Sequence, residues 1–179
     1  NMQHPSLDAF PNNNNINVVL FLSSAKYSVK LDAFNNMIES LATLACINLI
    51  IKPHPRFELA EINDISDKAK VSVCDSPTLI KWADIAILYG SSIGFQFLID
   101  KVPLIIPSFV HSNKTIYETD RVTISVNTLE ELSSLVCRPK SEIVNLIDQN
   151  KVDVFIDNAI YGDNRDNMMD IYCSFSDCC

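Results

Sequence analysis

At 179 residues and 20.1 kDa the chain has the length of one domain, and its 47% hydrophobic and 20% charged residues give it enough apolar material for a proper core. Its three glycines, Gly90, Gly94 and Gly162, exclude the dinucleotide fingerprint, which needs three within six residues, and the Walker A loop, which ends Gly-Lys-Ser/Thr. A net charge of −8 with no cluster of Lys and Arg excludes a nucleic-acid binder, which must neutralise phosphates.

Residues 1–15 end in Pro11 and a run of four asparagines, a turn-rich segment that reads as a linker. Seven strand candidates follow: Ile16–Leu22, Cys46–Ile51, Lys70–Cys74, Asp84–Tyr89, Val102–Ile106, Val122–Val126 and Val152–Ile156. Several are continuous apolar runs, the pattern of strands buried on both faces. Between them Leu31, Phe34, Ile38, Leu41 and Ala45 repeat at helical spacing and form one apolar stripe. Ser76-Pro77 reads as an N-cap with proline at the first helical position, opening a helix through Trp82. Thr128 and Glu131 form a capping box that opens a helix with Leu129, Leu132 and Leu135 inward. Ser141 to Gln149 predicts one more helix. Strand and helix alternate, so the expected class is α/β, a Rossmann-like doubly wound parallel sheet over residues 16–159, with 160–179 a peripheral tail.

No apolar stretch reaches the ~18 residues of a membrane span, and Asn1 to Asn15 lack the basic start and apolar run of a signal peptide. The six cysteines do not read as a framework: Cys46 and Cys74 lie in apolar runs as buried free thiols, and Cys137 ends a helical pattern. Cys173, Cys178 and Cys179 lie in the tail without a Cys-x-x-Cys pair or a nearby histidine, so no metal site is expected. A reducing, cytoplasmic setting follows, peripheral at most at the inner face of the cell membrane.

In an open parallel sheet, ligands bind beyond the carboxyl ends of the strands. There the sequence places Ser23-Ser24, then Lys52-Pro53-His54-Pro55-Arg56, then Asp75-Ser76, then Tyr89-Gly90-Ser91-Ser92, then Pro107-Ser108 with His111 just beyond. Prolines on both sides of His54 hold that loop extended, and a fixed imidazole between Lys52 and Arg56 suits a phosphate oxygen. The alternative is a proline-terminated strand with an incidental surface histidine. In Gly90-Ser91-Ser92-Ile93-Gly94, two hydroxyls and free amides at a helix start form an anion site, unless a serine merely caps the helix. Gly90 permits the tight turn and Gly94 leaves room on the first helical turn. Ser91 or Ser92 as a nucleophile with His54 or His111 would need Gly-x-Ser-x-Gly, and the string has one residue too many. Asp84 begins its strand, at the wrong end of the sheet for catalysis, and reads as a cap or surface charge. Glu118 reads as a solvated loop carboxylate that could bond a ribose hydroxyl.

The run Ile50 to Pro55, then Leu79 to Ser92 with Ala83-Asp84 and Ser91-Ser92, then Val102 to Ile106, resembles the C-terminal, donor-binding half of GT-B glycosyltransferases that build bacterial surface polysaccharides. The pattern is similar to capsule polysaccharide synthesis proteins and bacterial sialyltransferases, and in layout to CDP-glycerol glycerophosphotransferases. The resemblance implies that His54, Ser91 and Ser92 bind the phosphate of a nucleotide-sugar donor; the reading of the rim adds Lys52, Pro55, Gly90, Ser24 and Glu118 as donor contacts. Glycerophosphotransferases usually carry Asp-Tyr before Ser-Ser; Tyr89-Gly90 stands here, which favours CMP-linked acidic sugars as donor. GT-B enzymes need a second half for the polysaccharide or glycolipid acceptor and usually for the base. This chain has length for one half and no catalytic residue is assigned on it. The expectation is a fragment, a truncated product or a subunit, binding nucleotide weakly and inactive alone, with no cofactor beyond the donor. A UDP-sugar 2-epimerase-like domain and a non-catalytic α/β interaction domain are the alternatives. A receiver domain would need acidic residues where Ser23-Ser24 stand.

Overall fold

The computed structural model describes residues 14–22, 29–54, 70–72 and 74–162, the side chains of 160 and 161 excepted. Five parallel strands, β1 (Ile16–Phe21), β2 (Ile47–Lys52), β3 (Ile85–Leu88), β4 (Leu104–Pro107) and β5 (Ile124–Val126), form one sheet in the order β2-β1-β3-β4-β5. The apolar runs have the expected cause. Along β1, Val18 and Leu20 enter one core while Val19 and Phe21 enter the other. Along β3, Ile85 and Ile87 divide from Ala86 and Leu88 in the same way. Successive side chains point to opposite faces, so a strand covered on both faces must be apolar throughout.

Helices cover both faces. On one lie α1 (Leu31–Thr43), α5 (Leu129–Val136) and α6 (Lys140–Val144); on the other lie α2 (Ser76–Trp82), α3 (Gly94–Ile99), α4 (Ile116–Thr119) and α7 (Gln149–Tyr161). This is the doubly wound α/β arrangement that strand–helix alternation requires.

Several boundaries depart from the sequence reading. Val152–Ile156 is not a strand but part of α7: Val152 and Phe155 are buried while Val154 is 60% exposed, a helical spacing that the short apolar run disguised. Asp148 caps this helix, accepting from Lys151 N at 3.3 Å. The helix expected over Ser141 to Gln149 is instead the short α6, followed by the start of α7 at Gln149. Among the described residues of Lys70–Cys74, only Val71 forms a parallel bridge, to Ile51 of the edge strand β2. α1 buries Phe34, Met37, Ile38 and Leu41, whereas Leu31 is 65% exposed and Ala45 lies past the helix end. The N-cap of α2 is Asp75, not Ser76; its carboxylate accepts from Thr78 N at 2.7 Å, and Pro77 falls in the first turn.

The cysteine reading is also corrected. Cys46 and Cys137, 91 residues apart, are joined in a disulfide with Cα atoms 5.7 Å apart, and Cys74 is the free cysteine among the described residues. Cys46 precedes β2 and Cys137 is the C-cap of α5, and folding brings them together beside one core. The reducing setting inferred from unpaired thiols loses that support. No helix of the described residues is long and apolar enough to cross a membrane.

Candidate functional site

The order β2-β1-β3 reverses direction at β1, so the crevice beyond the carboxyl ends of β1 and β3 is where this sheet opens to a ligand. The register puts Lys52, Phe21 and Leu88 on one level across β2, β1 and β3. His54 and Gly90, each two residues further on, therefore leave the sheet at the same rim, roughly 10 Å apart at the usual strand spacing. His54 is half-buried and stands two residues past the end of β2. Ser24, Pro55 and Arg56 lie outside the described residues.

After β3, Tyr89 is buried against Phe34 and Gly90 takes φ +62°, a left-handed turn that glycine adopts without strain. Ser91 and Ser92 follow, and the chain closes on itself through Gly94 N to Ser91 O at 3.3 Å and Phe95 N to Ser92 O at 3.2 Å. The helix that follows differs from the expected anion-binding start. α3 spans six residues, and its N-cap is Ile93 with no side-chain cap bond. The reading of a serine as a mere N-cap therefore does not hold. The amides of Ser91, Ser92 and Ile93 donate to no other described residue, so the turn, rather than the helix dipole, offers N–H groups to a ligand.

The turn opens into a cavity of about 340 Å³. Its apolar wall is Tyr89, Phe95, Ile116 and Tyr117; its polar wall adds His111, Asn113, Lys114 and Thr115 to the Gly90-Ser91-Ser92 turn. Tyr117 braces the turn from below: its hydroxyl donates to Ser91 O at 2.9 Å, and burial raises its pKa to about 12. A second, more polar cavity of about 290 Å³ shares His111, Asn113 and Lys114 and continues to Ser108, Glu118 and Asn127 beyond β4 and β5. A larger cavity of about 540 Å³ lies along α7, between Asn150 and Ala159, and holds none of the motif residues.

Glu118 is not a solvated loop carboxylate. It stands on α4, its side chain 5% exposed, and Thr115-x-x-Glu118 is a capping box. Its Oε1 accepts from Ser108 Oγ at 2.6 Å and its Oε2 from Thr115 N at 2.7 Å. Burial pushes its pKa up, but the bonds from Ser108 and Thr115 and the nearby His111 outweigh it and hold the carboxyl below its ordinary value. Lys52 is the last residue of β2 and is half-buried. Desolvation lowers its pKa, opposed by Cys74 and Asp75 beside it, and it lines neither cavity. Nor does His54 line them; it shares the rim with the serine turn but not its cavity wall. Asp84 sits at the opposite, amino end of the strands, where its Oδ2 accepts from Asn17 N at 3.0 Å.

The sequence reading puts His111 on this rim without making it a donor contact, and it leaves out Asn113, Lys114, Thr115 and Tyr117 altogether. The capping box was the available signal, since Thr-x-x-Glu fixes a helix start where a loop had been expected and so aims the preceding residues at the rim.

No family model matches the chain, and no curated protein matches it. Solved structures do. The wall teichoic acid polymerase TagF with CDPG is 17% identical, with a TM-score of 0.57 over 87% of this chain and 39% of its own length. The spinosyn rhamnosyltransferase SpnG, complexed with spinosyn aglycone, is 13% identical, with a TM-score of 0.56 over 84% of this chain and 45% of its own. S. aureus MnaA in a co-structure with UDP is 8% identical, with a TM-score of 0.53 over 86% and 49%. The chain thus spans less than half the length of these structures, and its fold is that of one Rossmann-like half of a GT-B glycosyltransferase.

Proposed function

We propose that this chain is the donor-binding half of a GT-B glycosyltransferase that builds surface polysaccharide, with a CMP-linked sugar as donor. The observation that carries the reading is the serine turn itself. Ser91 and Ser92 stand with unengaged amides at the mouth of a cavity at the sheet's switch point, on the same rim as His54. Two hydroxyls, backbone N–H groups and an imidazole suit a phosphate leaving group, whose charge grows as the sugar bond breaks and strengthens each hydrogen bond to it. Glu118 and Ser24 complete the donor site in this reading. Acceptor and base come from a second half, so the chain alone binds nucleotide weakly and transfers nothing. It works on the cytoplasmic side of the cell membrane, where nucleotide sugars serve as donors.

Titrating CMP, CDP and UDP against the wild-type chain, His54→Ala and the double variant Ser91→Ala/Ser92→Ala tests this. CMP binds most tightly, and both variants weaken it at least about tenfold, the loss expected for hydrogen bonds to a charged group. Absence of binding by all three nucleotides would refute the reading. The likeness to MnaA solved with UDP motivates the second reading, an epimerase-like domain for a UDP-linked sugar, and a preference for UDP in the same titration selects it.

A further inference from the structure

His111 is fixed from several sides, yet its nitrogen is used by none of them. Its backbone pairs with Val29 in an antiparallel bridge, and Lys30 N donates to the neighbouring Val110 O at 2.8 Å. Its ring stacks on Tyr89, with centroids 6.4 Å apart and planes 19° apart. The residue is 9% exposed, and Nε2 has no hydrogen-bond partner among the described residues. Glu118 Oε2 lies 3.8 Å away, outside hydrogen-bond range. That carboxylate is already occupied by Ser108 Oγ and Thr115 N. A buried polar atom left without a partner is uncommon in folded proteins and calls for a ligand, an ion or a water.

The position of the ring says which. His111 lines both rim cavities, about 340 and about 290 Å³, and shares that boundary with Asn113 and Lys114. Each cavity alone is at the low end of the roughly 300–1,000 Å³ of small-molecule sites, whereas the two together are mid-range. They also differ in chemistry. One offers the Ser91-Ser92 turn beside aromatic rings; the other offers Ser108, Ser125, Asn127 and the Glu118 carboxylate. An anionic group fits the first, and a hydroxyl-bearing group that can donate fits the second.

We infer that the two cavities are one cleft for an extended, phosphorylated and hydroxyl-rich ligand, and that His111 is a specificity-determining contact where the ligand crosses from one half to the other. His111 Nε2 donates to a ligand oxygen at that crossing, with Lys114 as the adjacent cation. Glu118, itself part of the donor site, also positions the ring: Ser108 and Thr115 hold its carboxylate 3.8 Å from His111 Nε2. This deepens the donor-nucleotide reading and rests on it.

The test is a CMP titration followed by NMR on the full chain, with His111→Phe, His111→Gln and His54→Ala beside the wild type. Phenylalanine keeps a ring against Tyr89 and removes the nitrogen; glutamine restores an N–H donor at similar reach. The expected result is an affinity about tenfold weaker for His111→Phe, largely recovered in His111→Gln, and a shift of the wild-type His111 ring signals on adding CMP. Unchanged affinity in His111→Phe, with His54→Ala impaired, overturns the inference and leaves the donor reading standing. If no nucleotide binds the wild type, both fall. Should His111→Phe not fold, the wild-type ring signals decide, and signals that do not move on saturation overturn the inference.

Discussion

A methyl group on Gly94 would lie 2.5 Å from Cζ of Tyr117 and 2.7 Å from its hydroxyl oxygen, closer than real Cβ atoms come to anything. The absence of a side chain at Gly94 is therefore what lets the Tyr117 ring slide beneath the serine turn and reach Ser91 O at 2.9 Å. Gly94→Ala must push the ring or the α3 backbone aside. Overpacking of this kind costs about 1–3 kcal/mol. Urea unfolding should show that loss, and CMP affinity should fall with it because the turn loses its brace. Gly90→Ala makes the useful contrast, since no atom lies within 4 Å of the added Cβ and the only penalty is the φ of +62°.

Tyr117 also predicts an alkaline response. Its pKa is raised to about 12 from an ordinary 10, chiefly by burial, so between those values the folded state holds a proton that the unfolded chain has released. Stability from this group is complete below pH ~10 and is lost as pH rises through about 12. Two units correspond to about 2–3 kcal/mol. In Tyr117→Phe the slope between pH 10 and 12 flattens, while at pH 7 the variant loses about 0.5–1.5 kcal/mol with the bond to Ser91 O. Equal alkaline slopes in the two proteins would assign the effect elsewhere.

The Cys46–Cys137 link closes 91 residues and joins the start of β2 to the end of α5. Cross-links of this length restrict the unfolded chain strongly, and disulfides typically add about 2–4 kcal/mol. Thermal unfolding with and without reductant should differ by several degrees for a chain of this size. Cys137→Ser should unfold where the reduced wild type does and should not respond to reductant.

The sheet was legible because both its faces are covered, so Val18 to Phe21 and Ile85 to Leu88 carry an unbroken apolar signal. The same signal failed at Val152 to Ile156. Five residues of mixed apolar character fit either period, and only the burial of Val152 and Phe155 with Val154 outside separates helix from strand. The serine turn was legible because glycines bracket it. His111 is legible as a rim residue but its contacts are not, and Tyr117 is not legible at all, because both are set by different elements meeting: a bridge to Val29, a ring stack on Tyr89 and a bond to Ser91. Cys46 and Cys137 were misread for a related reason, since pairing depends on how β2 and α5 meet and not on spacing along the chain.

Glu118 sets the acid limit of the same wall. Its pKa is held below the ordinary 4.5, since the bonds from Ser108 and Thr115 and the proximity of His111 prevail over the cost of burial. A depressed carboxyl contributes stability that is complete above the unfolded value and disappears as pH falls through the folded one. Glu118→Gln keeps an acceptor for Thr115 N or Ser108 Oγ but loses the charge behind both bonds. At pH 7 it should be less stable by about 1.5–3 kcal/mol, the range for hydrogen bonds to charged groups. The gap should narrow as pH drops below 4.5, because the wild-type carboxyl is then protonated and resembles the amide. Urea unfolding of both proteins from pH 3 to pH 7 measures this directly. A gap that stays constant across the range would mean that the ionised carboxylate does not hold α4 in place, and the same result would remove Glu118 as the group that positions His111.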